Sequence, residues 1–291
     1  MFDDTVTGEP LVRILAEEST AEARCEAACL LIAEEPDTLD EVLACDALGD
    51  VDDTDPWNPA NTEVTVVCST QHSGPGFCTG RRPQGHHESE VAIDGAGAWF
   101  AVHAHLERAS VTAFEELATW LDRYGAPSEF AARSRAAAHD EVCHAQLMQT
   151  QARRLGVEAP SPTADAPAQD LLAIALHNAV EGCVHEAFAA IVAAHQARVA
   201  TDPELREVFT SIAADELRHG QLAWDLHAWL CDQLSPAERA RVEAAQARAL
   251  EALPRVIASN AESTPAGLGW PTPQVAVQMA RAFASELQAA V

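Results

Sequence analysis

Lysine is missing from the chain. The 18 basic residues are all arginine and face 45 acidic ones, a formal charge of −27 over 291 residues. With no basic stripe to neutralise phosphates, nucleic-acid binding is disfavoured. The acidity serves solubility or solvation in salt, and the absence of lysine beside abundant alanine suggests a GC-rich genome. No apolar run reaches the ~20 residues that a membrane-spanning helix needs. The opening Met1-Phe2-Asp3-Asp4 has neither a basic nor an apolar stretch, so no signal peptide is read there and a cytoplasmic location is expected. Aromatics are scarce, with a single tyrosine, Tyr124.

What is present is a repeated phrase. Asp140-Glu141-Val142-Cys143-His144-Ala145-Gln146-Leu147 returns as Asp215-Glu216-Leu217-Arg218-His219-Gly220-Gln221-Leu222. With 27 Glu and 12 His in the chain, random order gives about one Glu-x-x-His, so the motif alone is weak. Its flanks add weight, as do two upstream glutamates: Glu107 lies 34 residues before Glu141, and Glu181 lies 35 before Glu216. At ~3.6 residues per turn, positions i and i+3 share a helix face. Glu141 and His144 can therefore reach one ion, and so can Glu216 and His219.

Apolar periodicity predicts four long helices, over 99–124, 128–155, 168–200 and 203–233. On the first, Glu107 falls inside the stripe Phe100, Ala104, Val111, Phe114, while Glu115 and Glu116 fall off it. An inward carboxylate must be paired or metal-bound. The third has the inner row Ile174, His177, Glu181, Val184, His185, Phe188. Glu186 is five residues past Glu181, about 140° round an α-helix, and is the weaker ligand candidate. The linker 157–167, rich in Pro and Ala, can cross the length of the antiparallel bundle that four such helices imply. One Glu from each of two helices, with Glu-x-x-His from each of the other two, suits a carboxylate-bridged pair of metal ions.

Residues 97–233 resemble the ferritin-like dinuclear carboxylate superfamily. The resemblance implies Glu107, Glu141, His144, Glu181, Glu216 and His219 as ligands and catalytic residues, with Glu141 and Glu216 bridging. Oxygen-activating members often read Asp-Glu-x-x-His. By that analogy Asp140 accepts from His219 and Asp215 from His144, fixing each ring. His177 and His185, flanking Glu181, and His103, four residues before Glu107, are candidates for an extra ligand or a proton relay. Cys143 and Cys183 read as small buried packing residues.

Four carboxylates and two imidazoles suit Fe, with Mn possible, better than Zn or Cu(I). The expected activity is a diiron oxidase or oxygenase that uses O2 to oxidise an unidentified small-molecule or peptide substrate, with a possible electron donor and a possible homodimer. The alternative is a ferroxidase, iron-handling or peroxide-reducing protein, though the terminal additions would obstruct a closed ferritin cage. A non-enzymatic protein that kept the helices is the third reading. Tyr124 is 17 residues from Glu107, roughly 25 Å along a helix, too far for a tyrosyl radical beside the metals.

Residues 1–96 form a Cys-containing segment that reads as α+β. Thr20 to Glu35 reads as a helix, Asp46 to Asn61 as an acidic loop, and Glu63 to Cys68 as a strand. Cys25, Cys29, Cys45, Cys68 and Cys78 lie here, with disulfides the leading reading. Disulfides persist in oxidising compartments, which pulls against a cytoplasmic location. The run Cys78-Thr79-Gly80-Arg81-Arg82-Pro83 is similar to the end of the Cys-containing region that some bacterial proteins join to a ferritin-like domain. Arg81 and Arg82 are expected to bond carboxylates of the acidic fold, the alternative being an acidic substrate or partner. Residues 234–291 read as a helical extension, with helices from Pro236 to about Ile257 and from Gln274 to Ala290. The whole is expected to be mainly α: a ferritin-like four-helix bundle with a small α+β segment before it and extra helices after it.

Overall fold

A computed structural model describes residues 2–32, 39–51, 55–72, 80–87, 93–164 and 170–290. It is mainly helical, with a small strand region near the N-terminus. Two compact units divide the chain, Met1–Gly74 and Pro75–Val291. The division falls earlier than residue 96 because the segment around Arg81 and Arg82 is built into the second unit.

The first unit has a three-stranded antiparallel sheet, order β1-β3-β2, from β1 (Phe2–Thr7), β2 (Leu39–Gly49) and β3 (Glu63–His72). Two helices, α1 (Gly8–Glu17) and α2 (Ala21–Ile32), accompany it. Val6, Leu11, Ile14, Ala28, Val64 and Val66 bury their side chains in its core. Cys25 and Cys29 are disulfide-bonded and buried in the same core. Register sets Cys45 opposite Cys68. Cys78 lies outside the described residues.

The second unit begins with β4 (His86–His87), which pairs with β5 (Thr163–Ala164) from the linker after the second long helix. Each of the four expected long helices is present. They are α3 (Ala96–Arg123), α4 (Ser128–Arg154), a third helix in three parts, and α7 (Pro203–Gln233). The third comprises α5 (Leu171–His177), a π-helical stretch over Asn178–Glu186, and α6 (Ala187–Val199). Then come α8 (Pro236–Ser263) and α9 (Pro273–Ala290). None of these helices is long and apolar enough to cross a membrane.

Local chemistry sets the ends. Asp170 caps α5 by accepting from the Ala173 amide, and Asp202 caps α7 by accepting from the Glu204 amide, with Pro203 in the first turn. Ser235 and Glu238 form a reciprocal capping box on α8. Arg153 and Arg154 occupy the last turn of α4, where a cation suits the helix dipole.

Two apolar layers fill the second unit. Trp99, Phe100, Leu106, Met148, Phe209 and Ile212 form one. Phe114, Leu121, Phe130, Val184, Phe188 and Leu226 belong to the other. Along α3, α4 and α7 the sequence passes from one layer to the other across residues 107, 141–144 and 216–219. The buried acidic and imidazole groups therefore sit between two apolar layers.

Candidate metal centre

Six buried side chains converge between those layers: Glu107 from α3, Glu141 and His144 from α4, Glu186 from the end of the π stretch, and Glu216 and His219 from α7. None is more than 2 % exposed. They fall into two overlapping sets. Glu107, Glu141, His144 and Glu216 place ligand atoms within 4.8 Å of one another, as do Glu141, Glu186, Glu216 and His219. Glu141 and Glu216 belong to both sets. His144 Nδ1 lies 3.4 Å from Glu141, 3.6 Å from Glu216 and 3.9 Å from Glu107. His219 Nδ1 lies 3.2 Å from Glu141, 3.5 Å from Glu186 and 3.7 Å from Glu216.

Both rings are held from behind. His144 Nε2 donates to Asp215 Oδ2 at 3.0 Å, and His219 Nε2 donates to Asp140 Oδ2 at 3.3 Å. Each aspartate belongs to the opposite motif. The exposed Arg218 guanidinium bridges the two, 2.9 Å from Asp140 and 2.7 Å from Asp215. This leaves both Nδ1 atoms facing inward.

Among the described residues the inward atoms lack hydrogen-bond partners. Glu107 Oε2, both Glu141 oxygens, His144 Nδ1, Glu186 Oε1, Glu216 Oε2 and His219 Nδ1 are buried without a hydrogen bond. A buried polar atom left unpaired costs ~1–3 kcal/mol, and more when charged. Seven in one place are hard to explain by packing. They fit a pair of cations well, since four carboxylates balance two divalent charges.

Protonation tells the same story. Burial, reinforced by the Glu141 charge, pushes the Glu107 and Glu216 carboxyls up, Glu107 far more. Burial also pushes Glu186 up to about 8, against the pull of Arg81. Burial opposes charge on His144, but Glu141, Glu216 and Asp215 outweigh it and raise the ring to about 9. His219 is raised well above its usual value for the same reasons. Without metal, protons supply the positive charge that these carboxylates require.

Glu181, the upstream glutamate picked out by spacing, is not in the cluster. Arg82 clamps it through Nη2 to Oε1 at 3.0 Å, Nε to Oε2 at 3.2 Å and the backbone amide to Oε2 at 3.2 Å. His185 Nδ1 adds a bond to Oε1 at 3.0 Å. Burial alone would raise this carboxyl, but Arg82 and His185 outweigh it and hold it well below the usual range. Glu186 takes the inward position instead. The cause is the π stretch: a π turn holds more residues than an α turn, so side-chain directions computed at α spacing drift along it. A second signal was available. Two adjacent buried arginines need two carboxylates, and Arg81 and Arg82 take one glutamate each of the pair 186 and 181.

Arg81 is 1 % exposed and lies across the end of the cluster. Its Nε is 3.4 Å from Glu186 Oε2, and its Nη2 donates to Asn178 Oδ1 at 2.7 Å. Its guanidinium sits over the Phe114 ring, 5.4 Å from the centroid. Two glycines make room. A Cβ at Gly182 would lie 2.1 Å from Arg81 Nη2, and one at Gly80, where φ is +71°, would lie 2.2 Å from Ser110 Oγ. Both arginines thus bond carboxylates of the fold.

The remaining candidates lie outside the cluster. His177 Nε2 donates to the Arg82 carbonyl at 2.8 Å. Burial, with help from Arg81, lowers its ring to about 4. His103 stacks on Trp99 with ring centroids 3.4 Å apart. Cys183 is buried, as expected, but Cys143 is exposed. Cys143 follows the inward Glu141 by two residues, about 200° round α4 and on the solvent side.

A chamber of about 20 Å³ adjoins the centre, lined by Trp99, His103, Glu107, Met148, Phe209 and Glu216, among others. That is room for one water-sized guest. A larger open depression of about 540 Å³, between Arg108 and Arg153, contains none of the cluster residues.

No family model, no curated protein and no solved structure matches this chain. The centre is therefore read from its own geometry: buried Glu and His groups that could hold metal ions.

Proposed function

We propose that the chain is a non-haem diiron oxidase or oxygenase of the ferritin-like type, its helices forming a four-helix bundle round the metals. The donor set accepts manganese as well. The observation that supports this reading is the set of seven unpartnered donor atoms converging from four helices. Glu107 and His144 would serve one ion, Glu186 and His219 the other, with Glu141 and Glu216 between them. The bound pair would supply oxygen activation and two-electron redox chemistry. The protein's own groups do the rest. Asp215 and Asp140 fix the imidazoles with Nδ1 inward, and the two apolar layers keep water from the carboxylates.

A second reading rests on the chamber. At about 20 Å³ it is small beside the ~300–1,000 Å³ of ligand sites, which favours a ferroxidase or peroxide-reducing role. Oxygen uptake by the Fe(II)-loaded chain separates the two. An oxidase or oxygenase stops after two Fe(II) per chain are oxidised unless an external reductant is supplied. Continued oxidation of excess Fe(II) to ferric product supports the second reading instead. No oxygen uptake after loading rejects both.

A further inference from the structure

Glu216 lines two cavities. One is the small chamber. The other is an open groove of about 460 Å³ between α6 and α7, within the ~300–1,000 Å³ typical of ligand sites. The groove exists because its floor is made of small residues, among them Ala187, Ala190, Ala194 and Ala213. Trp224 and Phe283 stand on its wall, and among the described residues Arg198 is its sole lining charge apart from Glu216. Among the described residues no carboxylate pairs with Arg198. In a chain of charge −27, an arginine without an acidic partner beside an apolar groove leaves room for an anion brought by a ligand.

The helix register places these features in line. A Cβ at Gly220 would touch the Ala187 backbone at 3.1 Å, so those residues share a level. The short turn after Val199 makes α6 and α7 antiparallel, which sets Glu216 beside residue 191. Arg198 is then about 10 Å to one side of Glu216, and Trp224 about 12 Å to the other, at ~1.5 Å per residue. One end of the groove carries a cation, the walls are apolar, and the far end is aromatic.

We infer that this groove binds a linear amphiphile bearing a carboxylate. Arg198 takes the head, the chain passes over Glu216, and the tail ends against Trp224 and Phe283. The bearing on catalysis rests on the dinuclear reading above, because Glu216 would then bring the middle of the chain to the metals. The binding itself does not depend on it.

The test is isothermal titration of the full chain with dodecanoate, dodecan-1-ol and butanoate below their critical micelle concentrations, with metal content measured on the same samples. One dodecanoate binds per chain, at least tenfold tighter than either of the others. Arg198→Gln removes at least tenfold of the dodecanoate affinity and leaves dodecanol unchanged. Ala194→Trp, which fills the groove from a half-buried position, abolishes binding of both chain ligands without altering metal content. Equal dodecanoate affinity in the wild type and Arg198→Gln overturns the inference, as does unchanged binding in Ala194→Trp. A change of oligomeric state in Ala194→Trp without ligand also overturns it, because the groove is then a contact between copies. Failure to load metal with dodecanoate binding intact rejects the dinuclear reading and leaves this one standing.

Discussion

At the residue scale the most informative contrast is between Glu181 and Glu186, two buried carboxylates on one helix with different partners. Glu186→Ala should lower the affinity for the second metal ion at least tenfold, while Glu181→Ala should leave metal stoichiometry intact and reduce stability. Metal titration and thermal unfolding of both variants check this. On the dinuclear reading Arg81 would share Glu186 with the second cation, so Arg81→Met should tighten that ion and lower the melting temperature of the metal-free protein. A weaker second ion in that variant would show that Arg81 orients Glu186 for the metal instead. Five of the six convergent side chains were legible in the sequence, because Glu107 sits within an apolar stripe and Glu-x-x-His is a one-face spacing on any α-helix. The sixth, Glu186, was signalled only indirectly, by the adjacent Arg81 and Arg82 that each take one glutamate. Nothing in Asn178–Glu186 announces a π-helix, and α spacing aims Glu181 inward where Arg82 in fact takes it.

At the element scale, the strap Gly80–Gln84 and the π stretch stabilise each other through buried ion pairs. Breaking one by removing a partner costs ~3–5 kcal/mol, because the other charge stays buried. Glu181→Gln should therefore destabilise the second unit by about that amount at neutral pH. The sign of its pH dependence follows from the depressed carboxyl. Such a group stabilises the fold above its unfolded value of about 4.5 and loses the contribution as pH falls below that, towards the folded value. The stability gap between wild type and Glu181→Gln should be flat above pH 5 and shrink in acid; denaturant titrations from pH 3 to 7 measure it. Helix limits were legible to within a few residues, because Asp202-Pro203 and Ser235-Pro236 are explicit start signals. The strands β1 and β2 were not. β1 is short and opens on Phe2-Asp3-Asp4, β2 is acidic and alanine-containing with a single β-branched residue, Val42, and pairing with the Val-rich β3 makes both strands.

At the scale of the whole molecule, two units have separate sources of stability. In the first, which is small, Cys25 and Cys29 are disulfide-bonded; the second buries five glutamates, Glu181 clamped by Arg82 and the other four in a cluster that could hold metal ions. Reduction should destabilise the first unit by ~2–4 kcal/mol per disulfide without releasing metal from the second. Calorimetry and metal analysis, with and without a thiol reductant, report the two effects separately. Metal should raise the melting temperature of the second unit alone, since binding to the folded form stabilises it by mass action. The most direct test of the account is a count of ions. Protein loaded with Fe(II) or Mn(II) under anaerobic conditions and freed of excess metal should hold two ions per chain, with Glu107→Ala and Glu186→Ala each falling below two. A wild type that retains no ion, or a Glu186→Ala variant that keeps both while Glu181→Ala loses one, would contradict it.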